Sequence, residues 1–296
     1  MAAAVSAAPL DGTSTAQDVI TKLGADLTGK NIVVTGASSG IGAEAARVFA
    51  KAGARVFALG RSESKTMTVV DAINAECGDA ARVSFVSCDL SSLTSVRGAA
   101  NAILAAGVPL HVLLNNAGVM AIQDRTLTAD GFEMQLGTNH IGHFVLTNEL
   151  IPALKAGAPS RIVNVSSKAH FRGGIIFEDM MMGSDYNPWR SYGQSKSANI
   201  LHAIELQRRH GSDGITAVSL HPGVITDSDL WRHAGNVMTA NKSVPQGAST
   251  SVFCALAPDV AGGAFYDNCA PCGAAPHATD PALAERLWAE TEKLLA

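Results

Sequence analysis

The sequence predicts an α/β fold, a doubly wound parallel sheet with helices on both faces. Three observations carry that prediction. Short apolar runs rich in β-branched residues alternate along the chain with stretches of helical periodicity, the pattern of strands buried on both faces. The connections between them are short, and nothing resembles a linker or an internal repeat, so one sheet with right-handed crossovers is expected. The first run also passes directly into Gly36-Ala37-Ser38-Ser39-Gly40-Ile41-Gly42 and then into a helical pattern. That strand–glycine turn–helix order lets the backbone approach a phosphate at a helix N-terminus.

Asn31-Ile32-Val33-Val34-Thr35 is the first strand, and the helix after the glycines runs over 43–52 until Gly53 stops it. The second strand, 55–59, ends in Gly60-Arg61. At this place in a dinucleotide fold an acid bonds the adenosine ribose, whereas a base accepts a 2′-phosphate. With Arg61 and nearby Lys65 and no acid at the strand end, the phosphorylated dinucleotide, NADP(H), is expected. A helix near 66–77 follows, then a strand at 82–87 running into Cys88-Asp89-Leu90. Next come a helix near 93–106 and a strand at 110–114 running into Asn115-Asn116-Ala117-Gly118. A long helix is expected from 138 to 154, then a strand at 161–165 closed by Ser166-Ser167. A helix N-capped by Ser191 should run to about 210, and a strand at 215–220 leads into His221-Pro222-Gly223. These motif residues sit at the carboxyl ends of strands, where open α/β sheets bind ligands.

On the helix after Ser191, Tyr192 and Lys196 stand one turn apart on one face. A free phenol titrates near pH 10 and donates poorly at neutrality. A nearby ammonium favours the phenolate, so Lys196 is expected to lower the Tyr192 pKa toward the working range of a general acid. Ser167, presented from the strand end, would hold the oxygen of a carbonyl or alcohol. A Tyr and a Lys one turn apart ordinarily decorate a helix; the surrounding motifs give this pair its meaning.

Composition bounds the alternatives. A chain of 296 residues with 47% hydrophobic residues and 28 glycines suits one well-cored domain at 27–296 behind a partly flexible N-terminal extension at 1–26. A net charge of −4 with scattered bases gives no nucleic-acid surface. No run approaches the ~18 apolar residues of a spanning helix, so no integral membrane segment is expected. Residues 1–15 are Ala/Ser-rich without a basic start, unlike a secretory signal. Five cysteines, an odd number, favour free thiols in a reducing compartment, hence a cytoplasmic location. Cys269-Ala270-Pro271-Cys272 has no second pair and no histidine at finger spacing, so no metal site is expected.

Four motifs stand together: T-G-A-S-S-G-I-G at 35–42, N-N-A-G at 115–118, the Ser166-Ser167 pair and Y-G-Q-S-K at 192–196. In this order and spacing the chain resembles the short-chain dehydrogenase/reductase family from about residue 27 onward, which implies a single Rossmann-fold domain. Thr138-Asn139-His140-Ile141-Gly142-His143-Phe144 resembles the family's catalytic-asparagine helix. Val163-Asn164-Val165-Ser166-Ser167-Lys168-Ala169-His170, the insertion carrying Gly174-Ile175-Ile176-Phe177-Glu178-Asp179, Gln246-Gly247-Ala248 and Leu287-Trp288 resemble the retinol-dehydrogenase-like branch, which includes the oxidoreductase domains of WW-domain-containing relatives.

The resemblance implies a catalytic tetrad of Asn139, Ser167, Tyr192 and Lys196. In it Tyr192 moves the proton, Lys196 lowers its pKa and bonds the nicotinamide ribose, Ser167 orients the substrate oxygen, and Asn139 holds a water linking Lys196 to solvent. Ser166 aligns one place short of the family's serine, so that role goes to Ser167. Gly36, Ser38, Ser39, Gly40, Ile41, Arg61, Asp89, Leu90, Asn116, Ala117, Gly118, Tyr192, Lys196 and Ile225 match dinucleotide-contacting positions, with Asp89 reaching the adenine amine. One departure follows Pro222-Gly223: the family's Val and Thr places hold Ile225 and Asp227, with Thr226 and Ser228 on either side. The implied activity is hydride transfer between NADP(H) and a hydrophobic carbonyl or alcohol. The alternative is a non-catalytic NADPH-binding interaction protein, which would not need the acid–base constellation. Homo-oligomer formation stays open. A substrate loop is expected at about 225–245, where Leu230, Trp231, Val237 and Met238 would line an apolar pocket, and Met180-Met181-Met182 offers a second lid.

Overall fold

The computed structural model describes residues 9–78, 80–226, 230 and 239–296. The apolar runs form β1 (Asn31–Thr35), β2 (Arg55–Gly60), β3 (Val83–Ser87), β4 (Val112–Asn115), β5 (Ser160–Val165) and β6 (Ile215–His221), and the two short strands β7 (Phe265–Asp267) and β8 (Ala270–Cys272) follow. They make one sheet in the order β3-β2-β1-β4-β5-β6-β7-β8. All neighbours are parallel except the β7–β8 hairpin. β1 lies between β2 and β4, with Val33 opposite Phe57 on one side and Leu113 on the other. The chain therefore reverses its winding direction at the β1–β4 boundary, the place where such sheets open a crevice at the strand ends.

The helices are α1 (Ala16–Leu23), α2 (Gly40–Lys51), α3 (Glu63–Glu76), α4 (Leu93–Leu104), α5 (Met134–Leu136), α6 (Gly142–Ala156), α7 (Pro188–His210), α8 (Val244–Leu256), α9 (Pro276–Thr279) and α10 (Pro281–Leu295). Alternation along β1 sorts them into two layers. Ile32 and Val34 face a core shared with α1, α2, α3 and α8, while Val33 faces one shared with α4, α6, α7 and α10. Both faces of the central strands are thereby buried, as their unbroken hydrophobicity requires. No described helix is long and apolar enough to cross a membrane.

Within the N-terminal extension, Thr15 and Asp18 cap α1 reciprocally, Gly24 closes it at φ 57°, and Val19 and Ile20 are buried against α8. Several local expectations need correction. The helix carrying Tyr192 starts before Ser191. Asn187 is its N-cap, accepting hydrogen bonds from the Trp189 and Arg190 amides, and Pro188 occupies the first turn, where its missing N–H costs nothing. The long helix expected from 138 is interrupted: Gly137–Ile141 is a π turn between α5 and α6. Met180 and Met182 are buried, Met180 in the α4–α6–α7 core, and none of the three consecutive methionines lines the main cleft. That triplet is packing, not a lid. β7 and β8 were not expected. Asn268 and Cys269 turn the hairpin at φ 53° and 58°, and Pro271 is tolerated because β8 is the edge strand.

Candidate active site

A cleft of about 480 Å³ opens at the carboxyl ends of β1, β2, β4, β5 and β6, and every residue of the expected tetrad and dinucleotide set except Asn139 lines it. Its floor is the glycine turn. Gly36 has φ 69° and Gly40 φ 54°, a backbone region costly for residues with a Cβ. A methyl at Gly36 would meet the Ala117 Cα at 3.0 Å, and one at Gly42 would drive into the Gly36 carbonyl oxygen. The close approach of β1 and β4 thus depends on glycine. Ser39, at the N-cap of α2, makes no side-chain cap bond, so the first amides of α2 face the cleft. Such amides, with the positive end of the helix dipole, suit a phosphate.

At the end of β2, Arg61 is exposed on the cleft wall and forms no ion pair among the described residues. At the end of β3, Asp89 is held in a turn: its Oδ1 accepts from the Ser91 amide at 2.9 Å and the Ser91 hydroxyl at 2.6 Å, while its own amide donates to Ser95 Oγ. Leu90 is buried beneath it against Gly142. After β4, the Asn116 and Ala117 amides both donate to Thr35 Oγ1, at 2.9 and 3.0 Å, and Asn116 Nδ2 donates to the Thr35 carbonyl. The first and fourth strand ends are thereby tied into one surface. Ile225 is buried where the loop after β6 packs on Gly247 of α8. Thr226 is exposed, and Asp227, Ser228, Trp231, Val237 and Met238 lie outside the described residues. The glycine cradle, the open amides of α2 and the ends of β2 and β3 with Arg61 and Asp89 form one continuous cleft that suits an extended dinucleotide.

Opposite this cradle stand the groups with proton chemistry. Tyr192 and Lys196 are one turn apart on α7 and both buried, with Lys196 Nζ 5.5 Å from the Tyr192 ring centre. Lys196 Nζ donates to the Val165 carbonyl at 3.1 Å. The two adjacent serines have separate tasks. Ser166 is buried and donates to the Lys196 carbonyl at 2.6 Å, stitching β5 to α7. Ser167 reaches the cleft, where its Oγ accepts from the Ala169 amide, and its side chain lies close enough to the Tyr192 hydroxyl to act on the phenol's proton. Asn139 sits in the π turn, behind the cleft wall. Its Nδ2 donates to the Val119 carbonyl and to Ser195 Oγ, both at 2.9 Å, and its Oδ1 accepts from the Val119 amide at 2.8 Å. A methyl on Gly118 would come within 3.0 Å of that Oδ1 and 3.5 Å of Lys196 Nζ, so glycine lets the turn after β4 touch both residues. Ser166→Ala and Ser167→Ala should therefore separate. The first should lower the melting temperature by a few degrees, having removed one buried hydrogen bond; the second, which loses only a part-buried capping bond, should lower it less and slow turnover roughly 10–100-fold.

The electrostatics qualify the simple acid–base picture. Burial pushes the Tyr192 phenol above its ordinary range, with the Ser167 hydrogen bond acting against it. Burial also pushes Lys196 down, to about 8. The expected lowering of Tyr192 by Lys196 is thus overturned for the chain on its own. The lysine gives up its proton before the phenol does, so no ammonium is left to hold a phenolate when Tyr192 ionises. Near neutrality the pair is a neutral phenol beside an ammonium, a state suited to proton donation.

Motif reasoning missed part of the lining: Val119, Met120, Met134, Arg172 and Trp189 also face the cleft. Arg172 lies over the Trp189 ring at 5.3 Å, and Trp189 meets Tyr192 edge-on at 6.3 Å, which gives the substrate side an aromatic wall. Leu230 is there too. Val119, Met120 and Leu230 belong to connecting segments, while Met134, Arg172 and Trp189 sit at the ends of short or starting helical turns, so no periodic signal marks them.

Comparison with known proteins places these features in a family. The family described as short chain dehydrogenase matches residues 30–237. Retinol dehydrogenase 11 of Homo sapiens is 42% identical over 271 residues, covering 88% of this chain and 84% of its own. Polyprenol dehydrogenase of Mus musculus is 42% identical over 283 residues, covering 90% and 84%. Among solved structures, an uncharacterised protein of Mycobacterium paratuberculosis superposes with a TM-score of 0.75 at 36% identity, covering 91% of this chain and 94% of the other.

Proposed function

The chain belongs to the short-chain dehydrogenase family, in its retinol-dehydrogenase-like branch, and on that footing we propose that it is an NADP(H)-dependent oxidoreductase acting on a hydrophobic carbonyl or alcohol. The observation that carries this reading is the pairing of a protonated, buried Tyr192 with Ser167 on one wall of the cleft and a phosphate-suited glycine cradle on the other.

The bound dinucleotide supplies or accepts the hydride. Everything else falls to the chain's own residues. Ser38, Ser39, Gly40 and Ile41 would hold phosphate at the start of α2, and Asp89 and Leu90 would bound the adenine. In carbonyl reduction the Ser167 and Tyr192 hydroxyls converge on the substrate oxygen, and Tyr192 gives it the proton as negative charge develops there. Lys196 keeps a positive charge next to the phenol as that proton leaves, which is where the pair's attraction acts. In alcohol oxidation the same proton returns to Tyr192. Asn139, bonded on three sides, fixes the turn at Val119 and holds Ser195 of α7 in place. Trp189, Met120 and Leu230 would exclude water from the reacting carbon and favour an apolar substrate.

The cofactor preference rests on Arg61. With Arg61 and no acid at the end of β2, NADPH should bind more tightly than NADH, and Arg61→Asp should reverse the order. Equilibrium titrations with both cofactors test this, and equal affinities in the unaltered protein would contradict it. Turnover itself is tested by NADPH consumption against a panel of hydrophobic aldehydes and ketones. Cofactor binding without turnover of any of them would favour a non-catalytic NADPH-binding protein instead.

A further inference from the structure

Behind the cleft lies a buried histidine that the mechanism above does not use. His143, in the first turn of α6, is 2% exposed. Its Nδ1 lies 2.9 Å from the Asn139 carbonyl oxygen, and its Nε2 lies 2.8 Å from Thr35 Oγ1. Chemistry sets the direction of each bond. A carbonyl oxygen can only accept, so the ring proton sits on Nδ1. Burial pushes the imidazole down to about 4, so near neutrality it is uncharged and Nε2 offers a lone pair. Thr35 then donates its one hydroxyl proton to Nε2, in preference to the Leu114 carbonyl at 3.4 Å. Both acceptor positions of the same hydroxyl are filled by the Asn116 and Ala117 amides. Thr35 is fully used, and each bond polarises the next.

We propose that His143 is a positioning residue for the active site, joining the π turn that carries Asn139 to the Thr35–Asn116–Ala117 turn that faces the dinucleotide. The inference rests on the functional reading above and adds a residue to it. The π turn supplies the geometric reason: its i→i+5 pattern, seen in the Gly142 amide donating to the Gly137 carbonyl, breaks the α-helical ladder. The imidazole bonds the Asn139 carbonyl in that turn. His143 also lies close enough to Lys196 to feel its charge. One ring thereby bonds both the backbone of the π turn and the hydroxyl that holds the turn after β4. His140 and His202, the neighbouring buried histidines, point into the aromatic core beside Phe144 and Trp288 and make no such bridge.

His143→Phe keeps a flat ring and removes both nitrogens, whereas His143→Gln keeps a donor and an acceptor. In the protein alone, amide exchange at Asn116 and Ala117 should quicken at least tenfold in His143→Phe, while Leu113 and Leu114 of β4 stay protected. NADPH affinity should fall roughly tenfold, the worth of one buried hydrogen bond, and His143→Gln should restore most of both. Thr35→Val should cost more, because it also strips two amides of their acceptor. The losses in the double variant His143→Phe/Thr35→Val should fall short of the sum of the single losses, because both changes break the same Thr35–His143 bond. Additive losses in the double variant would overturn the proposal. So would unchanged exchange and affinity in His143→Phe with only a lower melting temperature, or an equal loss in His143→Gln. Absence of turnover in the unaltered protein, with NADPH affinity still responding to His143, would overturn the functional reading and not this one. If His143→Phe does not fold, the comparison of His143→Gln with Thr35→Val decides: Gln close to the unaltered protein and Val far from it supports the bridge, and equal losses overturn it.

Discussion

Tyr192→Phe should reduce turnover to the upper end of the roughly 10²–10⁴-fold range typical of general acid–base groups while leaving NADPH binding nearly intact. The ring keeps its buried place beside Trp189 and Lys196, so the fold should survive. What disappears is the hydroxyl that both donates the proton and, with Ser167, holds the substrate oxygen. Because these are transition-state contacts, kcat should fall far more than cofactor affinity. Tyr186 provides the control. Its hydroxyl donates to the Ile122 carbonyl at 2.6 Å and accepts from Gln135 Nε2, so Tyr186→Phe should lower the melting temperature and leave turnover within a fewfold of normal. Steady-state kinetics with cofactor titration read both outcomes. Loss of activity in Tyr186→Phe but not in Tyr192→Phe would move the site.

Lys196→Met should behave differently, losing turnover by roughly 10²-fold or more and cofactor affinity with it, yet without loss of stability. The buried ammonium is held at a cost, since burial depresses its pKa to about 8. Between about 8 and the ordinary lysine value near 10.4 the unfolded chain binds more protons than the folded one, so this group's contribution favours folding increasingly as pH rises through that window. Methionine removes the charge and keeps the length. The Val165 carbonyl, released by Lys196, retains its bond from Asn199 Nδ2 at 3.1 Å. Calorimetry at pH 7 should show a melting temperature equal to the unaltered protein or a few degrees above it. The rate should also decline as pH rises through about 8, where the ammonium is lost. A marked drop in melting temperature in Lys196→Met would show that the charge is structurally paired rather than held for chemistry.

The parts legible in sequence are those where one residue type has one physical use. Gly36 and Gly42 are needed because strands β1 and β4 nearly touch there, and the Tyr192–Lys196 spacing places both on one helical face wherever the helix starts. That start was less legible. Ser191 is a good cap by composition, but Asn187-Pro188 four residues earlier does the work. The α1 capping box at Thr15 and Asp18 was present in the sequence yet sat inside a stretch that its Ala/Ser-rich neighbours marked as a tail. The π turn at Gly137–Ile141 left no pattern, since every residue in it is buried and periodicity cannot tell an i+4 from an i+5 bond when polar and apolar residues are buried alike. The choice of Ser167 over Ser166 came from family alignment, and geometry gives it a reason: one serine turns inward to the Lys196 carbonyl, its neighbour outward to Tyr192. The Tyr192 pKa was misjudged because burial, a tertiary property, acts on phenol and ammonium together.

The central claim is that hydride and proton reach the same substrate in this cleft, the proton from Tyr192. Its most direct test is to supply NADPH carrying deuterium at the transferable position of the nicotinamide, together with a hydrophobic aldehyde, and to analyse the alcohol formed. The alcohol should carry one deuterium on the carbinol carbon and none from solvent at that carbon, and with Tyr192→Phe it should form roughly 10³–10⁴-fold more slowly. Alcohol formed without deuterium, or deuterated at an undiminished rate in Tyr192→Phe, would contradict that claim.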